Sequence, residues 1–125
     1  MAEREPLILY VDDDPDYRMA VRQLLEANGL RMIEAADGES GLRAFRQHKP
    51  DLVIVDLMME EVDSGVNFMR EVRASGSKTP VYLMSSVADA LSATTNPADL
   101  GFAGVVQKPL GKSWLMAIVR THFNA

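Results

Sequence analysis

Asp12, Asp13 and Asp56 are the residues whose types and placement best suit chemistry in this chain. The first two follow the apolar run Leu7-Ile8-Leu9-Tyr10-Val11, and the third follows Leu52-Val53-Ile54-Val55. Both runs read as buried strands. A buried carboxylate is costly, and several together repel one another. Acidic groups at the tips of central strands therefore point to a cation. With Lys108 behind a later apolar run, they suggest an acidic site that holds Mg²⁺ and receives a phosphoryl group. Oxygen ligands suit Mg²⁺, which keeps several waters and shares its shell with phosphate oxygens. Transition metals fit less well, because neither His48 nor His122 falls near a strand tip. Both histidines are expected at the surface, at helix ends.

Each residue has a chemical task in this reading. Asp56 follows a rigid central strand, so its carboxylate is held in line with incoming phosphorus and can act as the nucleophile. Asp13 is expected to ligate the cation directly, and Asp12 directly or through water. Lys108 places a point charge on the phosphoryl oxygens. Ser85, at the end of strand four, offers a hydroxyl to the same oxygens. The plainer reading gives Asp12 a helix-capping role and Lys108 a place on the surface. It would have to account for five such residues at strand ends by coincidence.

The elements that must position these groups alternate along the chain, which favours a parallel sheet covered on both faces. Strands are predicted over 7–11, 30–35, 52–55, 81–84 and 103–107, with the second polar enough to be an edge. Helices are predicted over 15–28, 38–47, 65–73 and 111–122. A short, irregular helix is expected between Ser85 and Leu100, and a long loop over 57–65. Asp14-Pro15 reads as a helix cap followed by Pro at the first helical position. Asn28-Gly29 reads as the helix stop. The apolar stripes are Met19, Val21, Leu24 and Leu25 in the first helix, and Leu42 and Phe45 in the second. Val66, Phe68, Met69 and Val72 form that of the third. The last helix has Trp114, Leu115, Ile118 and Val119. The fold expected is α/β and flavodoxin-like, a (βα)5 three-layer sandwich with a parallel five-stranded sheet in the order 2-1-3-4-5. Strands one and three then flank the point where strand order reverses, at the edge where ligands bind. Asp12 and Asp13 would meet Asp56 there, across 43–44 positions of sequence.

The chain has 125 residues, the size of one domain. Its net charge of −5 argues weakly against a nucleic-acid surface. It has no cysteine, which excludes disulfides and thiolate chemistry. The polar start, Met1 to Glu5, lacks the apolar stretch of a signal peptide. No apolar run approaches the ~18 residues that span a bilayer. A cytoplasmic protein without membrane insertion is the expectation.

These motifs resemble the receiver domains of bacterial two-component response regulators. The resemblance rests on Asp12-Asp13, Asp56, Ser85-Ser86 and Lys108-Pro109, in that order and spacing. It covers residues from Ile8 to the last helix, so 1–125 is read as one receiver domain. By that resemblance, Asp56 accepts a phosphoryl group from the phosphohistidine of a histidine kinase or phosphotransfer protein. Asp12, Asp13 and Asp56 hold Mg²⁺ together with the backbone carbonyl of Met58. Ser85 and Lys108 bind the phosphoryl oxygens and couple phosphorylation to a surface change. The Lys108-Pro109 bond is expected to be cis. The face formed by the fourth helix, fifth strand and fifth helix docks a downstream protein or a second copy. The chain is then a phosphoacceptor with slow self-dephosphorylation rather than a conventional enzyme. No DNA-binding or catalytic output domain is expected within these 125 residues. A single-domain regulator, a phosphorelay intermediate and one domain of a larger protein all fit.

The sequence also departs from the family pattern. Glu60 stands where the family has Pro, Asp63-Ser64-Gly65 arrives late, and the loop is about one residue longer. Val105 occupies the position of the switch aromatic in strand five, and neither Phe102 nor Tyr82 is at the matching place. The segment between Ser85 and Lys108 is also about one residue longer. The altered loop and the missing aromatic favour one alternative, a non-phosphorylated receiver-like protein-binding module; the complete set of aspartates with Lys108 counts against it. A small Mg²⁺-dependent phosphatase would need a substrate cap for which no segment is long enough. A flavin site would need a phosphate-cradling loop where the carboxylates stand.

Overall fold

A computed structural model describes residues 6–56, 64–85, 103–107 and 111–123. In chain order they form β1 (Leu7–Val11), α1 (Pro15–Ala27), β2 (Arg31–Ala35), α2 (Gly38–His48), β3 (Leu52–Asp56), α3 (Ser64–Ala74), β4 (Val81–Ser85) and β5 (Gly104–Gln107). The C-terminal helix, Lys112–Phe123, completes them. The strands pair in parallel as one five-stranded sheet in the order β2-β1-β3-β4-β5. This is the expected order, with polar β2 at one edge.

Every residue of β1 and β3 is buried, because a central parallel strand is covered on both faces. The strand period of two divides their side chains between two cores. Ile8, Tyr10, Leu52 and Ile54 join Val21 and Leu25 of α1 and Leu115 and Ile118 of the C-terminal helix. Leu9, Val11, Val53 and Val55 join Phe45 of α2 and Phe68, Met69 and Val72 of α3. Helices thus cover both faces of the sheet. The helix ends follow local chemistry. The Asp14 carboxylate accepts the N–H groups of Asp16 and Tyr17, with Pro15 opening α1. Asn28 caps its end, and Gly29 takes the left-handed turn at φ +79°. Asp37 and Ser40 form a reciprocal capping box on α2.

Three expectations about side chains are corrected. Met19 is 60% exposed. Tyr17, Val21, Leu24 and Leu25 form the inward face of α1, and a residue two places from Tyr17 and Val21 points the other way. Trp114 is 49% exposed. The buried stripe of its helix runs through Leu115, Ile118 and Val119, and Trp114 lies on the flank of that stripe. His122 continues the same stripe one turn on, so it is half-buried rather than a surface residue. Its Nε2 lies 2.7 Å from the Tyr82 hydroxyl oxygen, and the two rings meet edge to face. Gly104 makes room for this arrangement, since a Cβ there would come within 3.0 Å of the Tyr82 ring. His48 is exposed, as expected. The fourth predicted helix, most of the 57–65 loop with Glu60, Glu61 and Asp63, Phe102 and the Lys108-Pro109 bond lie outside the described residues. So does the side chain of Val66.

Gly41 sits where α2 presses on the sheet. A Cβ there would meet Val11 at 3.0 Å and Phe68 at 3.1 Å. Alanine normally stabilises a helix interior over glycine by ~1 kcal/mol. Here the close approach reverses the sign. Gly41→Ala is expected to lower unfolding free energy by roughly 1–2 kcal/mol, measured by urea denaturation; a gain in stability would show that the neighbours move aside freely.

Candidate functional site

The register of the central strands brings the acidic groups together. Val11 of β1 pairs with Val55 of β3, so Asp12 and Asp56 continue side by side at the carboxyl ends of adjacent strands. One carboxylate oxygen from each of Asp12, Asp13 and Asp56 lies within 4.8 Å of the others. Asp12 is fully buried, Asp56 is 2% exposed and Asp13 faces solvent. Asp56 is level with Met84 of β4, and Ser85, the next residue, pairs with Gln107 at the end of β5. The Ser85 backbone therefore stands at the same edge of the sheet. Lys108, Met58 and the side chain of Ser85 lie outside the described parts.

Asp12 is held on all sides. Its Oδ2 accepts a hydrogen bond from the Tyr10 hydroxyl at 2.5 Å, and its Oδ1 accepts the N–H of Asp14 at 3.0 Å. Its own N–H donates to the Ala35 carbonyl at 3.0 Å, and Arg18 Nη1 donates to its carbonyl oxygen at 2.7 Å. The residue that caps α1 is Asp14, so Asp12 does not have the capping role of the plainer reading. Burial, the bond to Asp12 and the charges of Asp12 and Asp56 push the Tyr10 phenol far above its ordinary pKa. It therefore serves Asp12 as a permanent donor.

Neither Tyr10 nor Arg18 belongs to the acidic and basic pattern that marks the site in the sequence. For Tyr10 a signal was present. Positions 10 and 12 point to the same side of an extended strand, and a buried tyrosine hydroxyl needs a partner. Arg18 gave no such signal, because its partner is a backbone carbonyl. Its Nε also pairs with Glu34 of β2 at 3.0 Å, and Arg22 reaches the same carboxylate at 3.1 Å. Together these bonds tie the first turns of α1 to the sheet edge beside Asp12.

Two unit charges 4.8 Å apart repel by about 3 kcal/mol at an effective dielectric constant near 20. A cation offsets that repulsion. The donors are oxygens only, the preference of Mg²⁺, whose bonds are ~2.1 Å long with opposite ligands ~4 Å apart. Carboxylate oxygens at the observed spacing close on such an ion by a small rotation of the exposed Asp13 side chain or through water. The residues present fit the ion.

Residues 8–120 match the family described as the response regulator receiver domain. The chain belongs to this family. Transcriptional regulatory protein CseB of Streptomyces avermitilis is 34% identical over 113 residues, 90% of this chain and 47% of that protein. The probable transcriptional regulator ycf27 of Guillardia theta is 32% identical, covering 94% of this chain and 45% of its own length. The receiver chain thus spans about half the length of the curated relatives it matches. Among solved structures, a response regulator receiver domain protein from Clostridium thermocellum superposes with a TM-score of 0.84 at 25% identity. That match covers 95% of this chain and 94% of the other. Chemotaxis response regulator CheY4 of Vibrio cholerae shares the fold, with a TM-score of 0.81 at 24% identity over 94% of this chain and 98% of its own. This is a receiver domain of two-component signalling, and the similarities offer no support for the binding-only alternative. Receiver domains bind Mg²⁺ at an acidic pocket, and the clustered aspartates form such a pocket here. Receiver domains of response regulators interact with histidine kinases and downstream effectors. No described helix is long and apolar enough to cross a membrane.

Removing Arg18 takes a charged donor from the Asp12 carbonyl. Arg18→Ala is expected to cost about 1–2 kcal/mol. Glu34→Gln, which weakens only the half-exposed ion pairs, should cost less than about 1 kcal/mol. Urea unfolding of both variants checks the order; the reverse order would place the stabilisation in the ion pairs.

Proposed function

We propose that Asp56 is the phosphoacceptor of this receiver domain. The observation that carries the proposal is the meeting of Asp12, Asp13 and Asp56 at the ends of two adjacent central strands. A carboxylate oxygen of Asp56 forms the bond to phosphorus. The P–N bond of a phosphohistidine, on a histidine kinase or phosphotransfer protein, breaks, and its electron pair remains on the imidazole nitrogen. Mg²⁺, when bound, offsets the repulsion between the acceptor and the anionic donor. Asp13 and Asp56 would hold it directly, Asp12 directly or through water, and Met58 through its backbone carbonyl. Position on β3 fixes the Asp56 carboxylate, since a fully buried strand has little freedom to move.

Ser85 would donate its hydroxyl to the transferred phosphoryl group, and Lys108 would place its ammonium on the same oxygens. Drawing these groups inward shifts the population of the face made by the fourth predicted helix, β5 and the C-terminal helix. That face then docks a downstream protein or a second copy. Val105 is aliphatic and 37% exposed, so this readout works without a ring moving between buried and exposed states. Residues 1–125 act as one receiver domain in the cytoplasm, with no direct nucleic-acid contact and no membrane insertion. The net charge of −5 supports the first of these exclusions. The acyl phosphate is lost slowly to water.

Two measurements test this. Incubation with a small acyl-phosphate donor and Mg²⁺ should add the mass of one phosphoryl group to the wild type and none to Asp56→Asn. Uptake by the variant at the wild-type rate would reject Asp56 as acceptor. Mg²⁺ at a hundred times its dissociation constant should stabilise the wild type by about 2.7 kcal/mol, and Asp13→Asn should lose most of that gain. Identical urea curves with and without Mg²⁺ would remove the cation from the proposal.

A further inference from the structure

Tyr10 is the one polar residue in an otherwise aliphatic β1. It is fully buried in the core cluster that includes Ile54, Met84, Val106 and Leu115. Among the described residues, its hydroxyl meets Asp12 Oδ2 at 2.5 Å and the Met84 sulfur at 3.7 Å. A phenylalanine would fill nearly the same volume, so packing alone does not call for the hydroxyl. What the hydroxyl adds is a second anchor on a carboxylate whose other oxygen is bound by the Asp14 N–H. With the Asp12 backbone also held at both its N–H and its carbonyl, the carboxylate cannot turn without breaking a bond.

We propose that Tyr10 is a positioning residue for the divalent-cation site, holding Asp12 in a fixed orientation that favours Mg²⁺ over the larger Ca²⁺. The inference rests on the reading of Asp12, Asp13 and Asp56 as that site. Mg²⁺ demands a near-ideal octahedron at about 2.1 Å, whereas Ca²⁺ accepts longer bonds and irregular shells. A clamped carboxylate serves the first requirement. A freely rotating one serves the second almost as well.

The test is calorimetric titration of the full chain with Mg²⁺ and with Ca²⁺, for the wild type, Tyr10→Phe and Met84→Leu. The last variant disturbs the same core but leaves the hydroxyl on Asp12. Tyr10→Phe is expected to bind Mg²⁺ roughly tenfold more weakly, as when a partner behind a metal ligand is removed. Its Ca²⁺ affinity should fall less, so the preference for Mg²⁺ narrows, while Met84→Leu keeps the wild-type preference. If Tyr10→Phe matches the wild type, or loses the same factor for both ions, the positioning role is overturned while the site itself stands. If the wild type binds neither ion, the site reading fails and the inference with it. A measurement on the wild type alone guards against a variant that does not fold. The Tyr10 hydroxyl proton should stay protected from solvent exchange in NMR spectra throughout a Mg²⁺ titration. Its loss on ion binding would show that the bond to Asp12 does not survive there, and would overturn the proposal.

Discussion

Much of this molecule follows from two carboxylates buried beside each other. Asp12 and Asp56 are almost wholly removed from water, and a third acidic group, Asp13, stands within 4.8 Å of both. Charge repulsion alone would push such groups apart. They stay together because the central strands leave them no alternative. The pairing of β1 with β3 is fixed along its length by side chains packed on both faces, and a slip of one residue would exchange the two cores. The hydrophobic effect thus sets the register, and the register concentrates charge at one edge. The acidic site is a local electrostatic cost carried by the packing of the whole sheet.

That cost is moderated by hydrogen bonding close at hand. Asp12 receives a phenol from inside the core and a backbone N–H from the turn into α1. Arg18 secures its carbonyl, and the Arg18, Arg22 and Glu34 pairs lash α1 to β2. A buried carboxylate without such partners would be strongly destabilising. The bonds also remove rotational freedom, so the Asp12 carboxylate is held in one orientation within the acidic cluster. Stability and preparation for binding come from the same contacts.

The strands, most helix boundaries and the edge position of β2 were legible in the sequence, because apolar runs, Asp14-Pro15 and Asn28-Gly29 each report on local backbone preference. The convergence of Asp12, Asp13 and Asp56 could be reached from strand order. Side-chain direction was less legible. Met19 and Trp114 are apolar, yet they lie off the inward stripes of their helices. Composition marks a residue as apolar without saying which side of a helix the sheet will cover. Polarity and a position near a helix end point His122 to the surface, but its helical phase carries it to Tyr82.

Local pattern therefore determined the kinds of elements, their order, and the residue types able to hold a cation and accept phosphorus, since each depends on neighbours within a few positions. Tertiary structure alone decided the partners. The Tyr10 bond to Asp12, the Arg18 bond to its carbonyl, the Tyr82–His122 pair and the room left by Gly104 all depend on how far one element slides and turns against another. That is settled by close packing across the sheet, where shifts of less than an ångström separate a hydrogen bond from a clash.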